Sequence, residues 1–319
     1  MANILITGNK GVVGSFLTEL LQEKKHKVFG IDIQHEIGET GWEHRMSHEK
    51  AVYSRCDVSE YRQLERVFSQ HGPFDYVYHT AAEFGRWNGE DYYEQLWKTN
   101  AIGTKHMIRL QEKLGFKLIH FSSSEVYGDY PETMAEDVMD KVEIKQLNDY
   151  AMTKWVNEMQ IRNSQVLHGT ETVVVRLFNT YGPGEWYHPY RSVNAKFCYS
   201  ALHNLPVTVY KGHTRTSTYL KDTCVTLSNI VNNFKPGETY NIGGIDKHSI
   251  EDLVSIIWEE TKADPSLIKF KKHEQLTTKE KNVDSSKAIR DLDHKITVSL
   301  KQGIKQTIKW MRGYYGIKA

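Results

Sequence analysis

A tyrosine and a lysine that are four residues apart, Tyr150 and Lys154, form the most informative chemical pair in this sequence. Residues at this spacing lie on the same face of a helix, so the lysine ammonium can approach the tyrosine phenol. A nearby positive charge favours the phenolate and lowers the pKa of the tyrosine toward neutrality, which makes it a usable general base. The spacing is also common by chance, because two exposed residues of an ordinary helix produce it.

A serine-rich segment supports this pair, since residues 121–128 precede it and contain Ser122, Ser123 and Ser124. The segment follows an apolar run that is typical of a strand. Open α/β sheets bind their ligands beyond the C-terminal ends of their strands, which is where these serines would lie. The context therefore favours a catalytic role for Tyr150 and Lys154 over a chance spacing.

Three glycines, Gly8, Gly11 and Gly14, directly follow the first apolar run and open the first helical segment. Glycines in this pattern permit a tight turn, close approach of a pyrophosphate to the backbone and close packing of the helix on the strand. The N-terminus of the helix, at Val12 and Val13, then supplies N–H donors to phosphate groups. An ordinary turn between a strand and a helix has the same glycines, so the loop alone does not decide.

Two carboxylates strengthen the interpretation of this loop as a dinucleotide site. Asp32 ends the second apolar run, where it can accept from both ribose hydroxyls of NAD and would repel the 2′-phosphate of NADP. Asp57, followed by Val58, ends the third run, where its carboxylate can meet the adenine amino group. Lys10 could instead bind a 2′-phosphate, although a solvated loop lysine is the simpler interpretation. The pattern predicts NAD as the cofactor.

The elements that must position these groups alternate along the first 180 residues between short apolar runs and segments with helical spacing. The strand-like runs are residues 4–7, 28–32, 51–56, 76–79, 117–122 and 172–178, and the main helical segments are residues 12–25, 64–69, 100–114, 150–167 and 298–314. This alternation predicts right-handed βαβ crossovers and a mainly parallel sheet. Strand runs that are apolar throughout indicate a sheet that is covered on both faces.

The fold predicted from this pattern is α/β, with a doubly wound, mainly parallel Rossmann sheet and a smaller interwoven α/β substrate lobe. The dinucleotide-binding domain is predicted over residues 1–178, completed by later segments around 215–245. Residues 179–319 mainly form the substrate lobe. No internal repeat or low-complexity linker separates the two parts, so we expect the lobe to be woven into the sheet domain.

Composition excludes several classes of partner. The chain has 319 residues with 41 Lys and Arg against 40 Asp and Glu, so it has no bulk charge that would attract nucleic acid or anionic membrane. Its three cysteines are widely spaced, which fits a reducing compartment better than a disulfide framework. It has no apolar run of membrane-spanning length, no cleavable signal and no histidine pair with metal-ligand spacing. We predict a cytoplasmic protein without nucleic-acid or membrane partners and without a metal.

Taken together, these motifs resemble those of the extended short-chain dehydrogenases/reductases, in particular the NAD-dependent sugar-nucleotide epimerase/dehydratase family. The resemblance rests on the glycine loop at 8–14, Asp32, Asp57 with Val58, Thr80 with Ala81 and Ala82, Asn100, residues 122–128, Tyr150 with Lys154, residues 176–183 and residues 215–222. It implies a nucleoside-diphosphate sugar as the substrate and places Ala81, Ala82 and Asn100 at the cofactor. It also implies a homodimer built through the helices at 100–114 and 150–167.

The resemblance assigns a role to each catalytic candidate. Tyr150 would take the proton from the sugar C4 hydroxyl while hydride passes to the nicotinamide, and Ser123 would hold the same hydroxyl. Lys154 would bind the nicotinamide ribose and lower the pKa of the tyrosine. Asn179 and Arg215 would address the diphosphate of the substrate, Arg215 through charge-assisted hydrogen bonds. Members of the family share this oxidation and differ in how they treat the 4-keto intermediate.

Glu125 is the residue that discriminates among these second steps. By resemblance, 4-epimerases carry a small hydroxyl residue here, whereas 4,6-dehydratases use a Glu to remove the C5 proton and an Asp one residue earlier to protonate the C6 hydroxyl. This chain has Ser124 in the place of that acid, as in the Thr-Ser-Glu of GDP-mannose 4,6-dehydratases. UDP-glucuronate decarboxylases share Ser-Glu-Val-Tyr-Gly-Asp, and a carboxylate that caps a turn would also explain Glu125.

We predict dehydration as the second step. A 4-epimerase, a UDP-glucuronate-type decarboxylase and a simple C4 dehydrogenase stay open as alternative enzymes. An inactive dinucleotide-binding sensor is the alternative from another class, but such proteins commonly lose the tyrosine or the lysine that this chain keeps. The sequence does not identify the nucleotide base or the hexose.

Two segments with unusual aromatic and charged residues are predicted to face the substrate. Aromatic faces stack on bases and sugars, and arginine pairs with phosphate or carboxylate. Any one of these aromatic residues could simply pack under a loop, but as a cluster they favour a binding site. The predicted contacts are Glu83, Arg86 and Trp87 after the fourth strand and Trp186, His188 and Arg191 after the diphosphate loop.

Overall fold

Seven parallel strands form the central sheet of the computed structural model, which describes residues 1–34, 52–272 and 274–318. The strands in chain order are β1 Asn3–Thr7, β2 Lys27–Asp32, β3 Val52–Arg55, β4 Tyr76–His79, β5 Lys117–Ser123, β6 Thr133–Met134, β7 Thr172–Leu177, β8 Thr180–Tyr181, β9 Val207–Tyr210, β10 Thr214–Thr216, β11 Thr218–Tyr219, β12 Thr239–Ile242, β13 Lys247–Ser249, β14 Ile268–Lys271 and β15 Asn282–Val283. The predicted start of the third strand, Ala51, lies outside the described residues.

Helices connect these strands and surround the sheet. The α-helices of the described residues are α1 Val12–Glu23, α2 Tyr61–His71, α3 Arg86–Asp91, α4 Tyr93–Trp97, α5 Gly103–Leu114, α6 Val138–Lys141, α7 Asp149–His168, α8 Val193–Leu202, α9 Leu220–Asn229, α10 Ile250–Thr261, α11 Ser286–Leu292 and α12 Leu300–Tyr315. A π-helical turn at Lys98–Ile102 leads into α5. Within the described ranges, no helix has both the length and the apolar character needed to cross a membrane.

The order of the strands places the ligand crevice. The sheet runs β12-β7-β5-β4-β1-β2-β3, so the chain winds outward in both directions from β1. Each neighbouring pair is parallel, with Thr7 of β1 opposite His79 on one side and Ile31 on the other. In such sheets a ligand binds where the winding reverses, beyond the C-terminal ends of the strands. The predicted doubly wound parallel sheet is confirmed.

Both faces of the sheet are covered, as the apolar strands require. Ile4 and Ile6 of β1 belong to one buried cluster together with Leu17 of α1 and Leu227 of α9. Leu5 belongs to a second cluster, formed with side chains of α2, α5 and α7 on the opposite face. Because successive side chains of a strand point in opposite directions, a continuous apolar run supplies both cores.

The second lobe has a core of its own, in which side chains of α8, α10 and α12 pack with β9. Phe197, Trp258 and Ile308 are buried there. After the first part of the lobe the chain returns to the sheet, where β12 pairs in parallel with β7 at the edge. The lobe is therefore interwoven with the sheet, and the domain boundary between residues 178 and 179 stays a prediction.

Helix α7 begins one residue before Tyr150, which places both catalytic candidates near its N-terminus. The side chain of Asn148 caps the helix by accepting a hydrogen bond from the N–H of Ala151 at 2.8 Å. Gly169, with φ of 64°, ends the helix in the left-handed conformation. These caps extend the helix by one residue at each end relative to the predicted range 150–167.

Candidate active site

The glycine loop between β1 and α1 has the geometry of a pyrophosphate cradle. Gly8 has φ of +67°, and a Cβ there would lie 2.8 Å from the Cα of Ala81. A Cβ on Gly14 would lie 2.2 Å from the carbonyl oxygen of Gly8, and one on Gly11 would lie 3.1 Å from the same oxygen. No side chain caps α1 at Val12, so its first N–H groups are left to an anionic ligand. The loop fits a dinucleotide.

Asp32 lies at the C-terminal end of β2, beside this loop. Its carboxylate accepts backbone hydrogen bonds from Lys10 at 3.1 Å and from Gln34 at 3.2 Å, which orient it. Burial raises the pKa of Asp32, although these hydrogen bonds oppose the shift. Lys10 is only 6% exposed and its ammonium lies 4.0 Å from the centre of the Tyr53 ring, so the interpretation as a solvated loop lysine is wrong.

The remaining cofactor candidates follow the C-terminal ends of β3 and β4. The carboxylate of Asp57 accepts hydrogen bonds from the N–H and the hydroxyl of Ser59 at 2.9 and 2.7 Å. Val58 is 3% exposed and belongs to the core beneath α2. The N–H of Ala81 donates to the hydroxyl of Thr7 at 3.1 Å, and Ala82 follows it on the same loop. Their contact with a cofactor stays a prediction.

Asn100 lies in the π-helical turn, so the helix predicted from residue 100 begins three residues later, at Gly103. Its side-chain oxygen accepts from the N–H of Glu83 at 2.8 Å. Its amide donates to the carbonyl of Glu83 at 3.0 Å and to the hydroxyl of Thr153 at 3.1 Å. Asn100 therefore ties the loop after β4 to α7, and a direct contact with the cofactor stays a prediction.

Replacing Asp32 by Ala is expected to raise the Kd for NAD by about 10–100-fold, because two charge-assisted hydrogen bonds to the ribose are lost. Removal of the negative charge should also strengthen NADP binding relative to NAD. Titration of protein fluorescence with each dinucleotide measures both effects. Asp75→Asn is the control, because Asp75 bonds to the N–H of Asn3 at the opposite end of the sheet. An unchanged Kd for NAD in Asp32→Ala would contradict the assignment.

Tyr150 and Lys154 face the end of β5. The ammonium of Lys154 is buried, donates to the carbonyl of Phe121 at 2.8 Å and lies 5.8 Å from the centre of the Tyr150 ring. Burial raises the pKa of Tyr150 to about 12, opposed by its hydrogen bond with Ser123. Burial also lowers the pKa of Lys154 to about 8, opposed by the charge of Glu158. The predicted lowering of the Tyr150 pKa toward neutrality is therefore wrong, because burial raises this pKa instead.

Glu125 does not cap the turn that follows β5. That role belongs to Ser123, whose hydroxyl accepts from the N–H of Glu125 at 3.2 Å. The carboxylate of Glu125 instead forms an ion pair with Lys281 and accepts from the amide of Asn148 at 3.5 Å. The ammonium of Lys281 also lies 3.4 Å from the hydroxyl of Ser124. The turn-capping explanation of Glu125 is therefore wrong.

Burial and neighbouring charges act in opposite directions on the pKa values of Glu125 and Lys281. Burial alone would raise the pKa of Glu125, but the charges of Lys281, Arg86 and Arg215 lower it to about 2. Burial lowers the pKa of Lys281 to about 8, despite the opposing charge of Glu125. The site therefore holds a carboxylate and an ammonium in direct contact, with side chains 18% and 2% exposed.

Two arginines from different parts of the chain meet beside this pair. Arg86, from the start of α3, binds Glu274 at 2.9 Å, and Arg215 of β10 lies 3.9 Å from the same carboxylate. Arg215 also donates to the carbonyls of Thr214 and Lys279 at 2.7 and 3.1 Å. The structure thus brings Arg86 and Arg215, which were predicted separately, to one carboxylate, and their contact with a substrate stays a prediction.

Asn179, the other diphosphate candidate, is held in a strained backbone conformation with φ of +40°. Its amide donates to the carbonyl of Thr216 at 3.3 Å, one residue beyond Arg215. Asn179, which lies between β7 and β8, is therefore joined to the end of β10, the strand that carries Arg215. Among the described residues, no three His, Cys, Asp or Glu side chains are placed to hold a metal ion.

Three of the predicted substrate contacts, Trp186, His188 and Arg191, form a cluster with Phe84. The guanidinium of Arg191 lies 4.0 Å from the ring centre of Phe84 and 4.8 Å from that of Trp186. The ring of His188 packs against both aromatic rings at 6.0 and 5.8 Å. Trp87 is 43% exposed. The loops after β4 and β8 therefore meet through this cluster.

Glu83 is engaged within its own loop. Its carboxylate accepts a hydrogen bond from the amide of Asn88 at 3.0 Å. The predicted contact of Glu83 with the substrate stays a prediction.

Lys281 and Glu274 carry no signal in the sequence, and both lie in the segment between β14 and β15. Lys281 is 156 residues from Glu125 along the chain, and only the folded lobe brings the two together. A lysine in a polar segment, between other lysines, carries no spacing signal of its own. The signal that would have found it is spatial, because it is a buried ammonium with a carboxylate partner.

The winding of the sheet and the dinucleotide cradle at its centre mark an enzyme of the extended short-chain dehydrogenase/reductase class. Residues 4–243 match the family model described as "NAD dependent epimerase/dehydratase family", and the chain belongs to that family. The predicted family and the predicted cofactor, NAD, are thereby confirmed at this level.

Relatives within the family differ in the reaction that their names give. A UDP-N-acetyl-alpha-D-glucosaminuronate decarboxylase of Bacillus cytotoxicus is 28% identical, over 97% of both chains. A dTDP-glucose 4,6-dehydratase of Salmonella typhimurium is 26% identical, over 96% of this chain and 92% of the relative. The solved structure of an epimerase, Mth375 from Methanothermobacter thermautotrophicus, superposes with a TM-score of 0.89 at 25% identity, over 99% of this chain and 93% of that one. Family membership thus leaves the particular reaction open.

Proposed function

We propose that this protein is an NAD-dependent 4,6-dehydratase of a nucleoside-diphosphate hexose. The observation that carries the proposal is the carboxylate of Glu125, which lies two residues after Ser123 and is held deprotonated by three cations. A 4-epimerase does not need such a carboxylate, because rotation of the 4-keto intermediate before hydride returns requires no second base. Elimination of water requires one, to remove the proton at C5.

The first step is the oxidation of the hexose at C4. NAD, when bound, supplies the hydride acceptor for this oxidation and the hydride donor for the later reduction at C6. The phenolate of Tyr150 takes the proton of the C4 hydroxyl, and Ser123, which is hydrogen-bonded to Tyr150, holds the same hydroxyl. Lys154 is held by the carbonyl of Phe121 and binds the nicotinamide ribose.

The second step uses the ketone that the first has made. A carbonyl at C4 acidifies the proton at C5, and Glu125 removes that proton while the C6 hydroxyl leaves as water. The ion pair with Lys281 fixes the carboxylate beside Ser124 before the substrate arrives. A group that is already placed and deprotonated loses no free energy to reorganisation during the reaction.

The substrate is held through its diphosphate. Arg215 and Asn179 lie at neighbouring positions on β10 and after β7, and Arg86 adds a second guanidinium from the loop after β4. Glu274 forms ion pairs with both arginines. The phosphates of the substrate would displace its carboxylate, because they can accept the same charge-assisted hydrogen bonds. The cluster of Phe84, Trp186 and Arg191 offers flat faces to the base or the sugar.

A mass-spectrometric product assay in deuterated water tests the proposal. Purified protein with NAD is incubated with UDP-, GDP-, CDP- and dTDP-hexoses and with UDP-glucuronate. The expected product has lost water and gained deuterium at C5. A product of unchanged mass but altered chromatographic position would show an epimerase instead. Oxidation without any later step would show a C4 dehydrogenase.

Replacing Glu125 by Gln is expected to lower the rate of dehydration by about 10²–10⁴-fold, because the C5 proton then has no base. Oxidation at C4 should persist, so reduced nicotinamide should accumulate in a single turnover, measured by its absorbance. Glu280→Gln is the matched control, since that glutamate is exposed and pairs with Lys247 at the surface. Equal loss of oxidation and dehydration in Glu125→Gln would argue against a separate C5 base.

A uronate decarboxylase is the second candidate, favoured by one observation. The Nη1 of Arg86 is buried and makes no hydrogen bond to the described residues, so it is free to bind a sugar carboxylate. Once C4 is a ketone, a carboxylate at C5 leaves as carbon dioxide without a base. The relative from Bacillus cytotoxicus is named for a reaction of this kind. In the product assay, this candidate would convert only UDP-glucuronate, with loss of carbon dioxide.

A homodimer and a cytoplasmic location are part of this proposal. Met152, Met159 and Val166 are exposed and recur at intervals of seven along α7, which supports an apolar contact between two copies of this helix. Ile102, at the start of α5, is also exposed. These side chains are consistent with the pairing of α5 and α7 that the resemblance implies.

A further inference from the structure

We propose that Lys281 is the acid that protonates the C6 hydroxyl as it leaves, in place of the carboxylic acid that Ser124 does not provide. The inference rests on the dehydratase function proposed above and adds a catalytic residue to it. No feature of the sequence points to Lys281, and only the fold places its ammonium beside Glu125.

The position of Lys281 is fixed by the backbone around it. It directly precedes β15, which pairs in parallel with β6. Its N–H donates to the carbonyl of Thr214 at 3.2 Å, next to Arg215. The side chain is 2% exposed and its ammonium contacts both Glu125 and the hydroxyl of Ser124. The ammonium therefore lies beside Ser124, the residue that directly precedes the proposed C5 base Glu125. By resemblance, this is the place where 4,6-dehydratases carry their acid.

Elimination from C6 requires such an acid, because hydroxide is a poor leaving group at neutral pH. The hydroxyl of Ser124 is itself too weakly acidic to supply the proton. Of the three cations that act on Glu125, the arginines Arg86 and Arg215 do not lose a proton in proteins. Burial lowers the pKa of Lys281 to about 8, which suits a proton donor that works near neutrality.

The step balances in protons and electrons. Glu125 takes the C5 proton, the electron pair of that bond forms the C5–C6 double bond, and the C6–O bond breaks. The departing oxygen takes a proton from Lys281 and leaves as water. Loss of this proton also removes a positive charge that lowers the pKa of Glu125. Glu125 therefore becomes a stronger base when Lys281 donates its proton. Lys281 then regains a proton from solvent, which receives the one that Tyr150 took from the C4 hydroxyl.

A substrate whose leaving group needs no proton tests the inference. The probes are dTDP-glucose and GDP-mannose, each also as its 6-deoxy-6-fluoro analogue, because fluoride departs without protonation. We expect Lys281→Met to dehydrate the normal sugar about 10²–10⁴-fold more slowly than the wild type. It should still accumulate reduced nicotinamide and exchange the C5 proton with deuterated water. On the fluoro analogue, fluoride release should return to within about tenfold of the wild type.

Two further variants separate acid catalysis from a structural role. Lys281→Arg keeps the charge beside Glu125 but cannot donate a proton, so it should stay defective on the hydroxyl substrate and active on the fluoro analogue. Glu125→Gln should be defective on both, because it lacks the C5 base. Circular dichroism establishes that each variant is folded.

Three results would overturn the inference. The first is dehydration of the normal sugar by Lys281→Met at the wild-type rate, and the second is failure of this variant on the fluoro analogue although it still oxidises C4. A rise in KM with an unchanged kcat would instead assign Lys281 to substrate binding. Failure of the proposed function looks different, since the wild type itself would then form no 6-deoxy product and release no fluoride.

Discussion

Replacing Tyr150 by Phe is expected to lower kcat for the complete reaction by about 10²–10⁴-fold while leaving the Kd for NAD unchanged. In the proposed mechanism the phenolate of Tyr150 accepts the C4 proton, and Tyr150 is hydrogen-bonded to Ser123, which is proposed to hold the same hydroxyl. The ring itself would stay packed in the variant, so cofactor binding should not suffer. Single-turnover absorbance of reduced nicotinamide reports the oxidation, and fluorescence titration reports the Kd.

The phenol of Tyr61 provides the matched control for this substitution. It bonds to the ammonium of Lys113 at 2.7 Å on the surface of the sheet domain, so Tyr61→Phe should retain wild-type activity. Burial raises the pKa of Tyr150, so the phenol is mostly protonated near neutral pH. The rate of oxidation in the wild type should therefore rise with pH as the deprotonated fraction of Tyr150 increases. That rise should be absent in Tyr150→Phe. Oxidation at near wild-type rate in this variant would contradict the assigned role.

The sheet domain was predictable because each strand is a short apolar run bounded by polar or glycine residues. Residues 76–79, for example, form β4 as the sequence indicates, and α7 differs from its predicted range by one residue at each end. The π-helical turn before α5 was not predicted, because it depends on Asn100 bonding to Glu83 and Thr153, which lie on other elements. Local spacing predicts periodic elements, and tertiary hydrogen bonds then adjust where they begin.

The second lobe and its contribution to the site were predicted less well. Its strands are two to four residues long, and they pair as separate two-stranded sheets, which leave little periodic signal. Lys281 reaches Glu125 only through the pairing of β15 with β6. The pKa of Tyr150 was misjudged for a related reason. Four-residue spacing predicts that Lys154 is near, but it carries no information about how completely the fold removes water from the phenol.

Replacing Glu158 by Gln is expected to lower the free energy of unfolding by about 3–5 kcal/mol, because it leaves a buried guanidinium without its counter-ion. Arg176 is fully buried and binds both carboxylate oxygens of Glu158, at 3.0 and 2.7 Å. The same carboxylate accepts from the hydroxyl of Ser122 at 2.6 Å. The pair therefore joins β5 and β7 to α7, the helix that carries the candidates Tyr150 and Lys154.

Urea denaturation measures this loss, and two variants show that it comes from a broken buried pair. Glu259→Gln removes a carboxylate that is 69% exposed and lies 3.3 Å from Lys301, so it should cost less than about 1 kcal/mol. The double variant Arg176→Met, Glu158→Leu removes both charges and should recover much of the stability, since an apolar pair carries no desolvation penalty. A cost below about 1 kcal/mol for Glu158→Gln would mean that water or a neighbour such as Tyr127, 2.8 Å from Arg176, compensates the guanidinium.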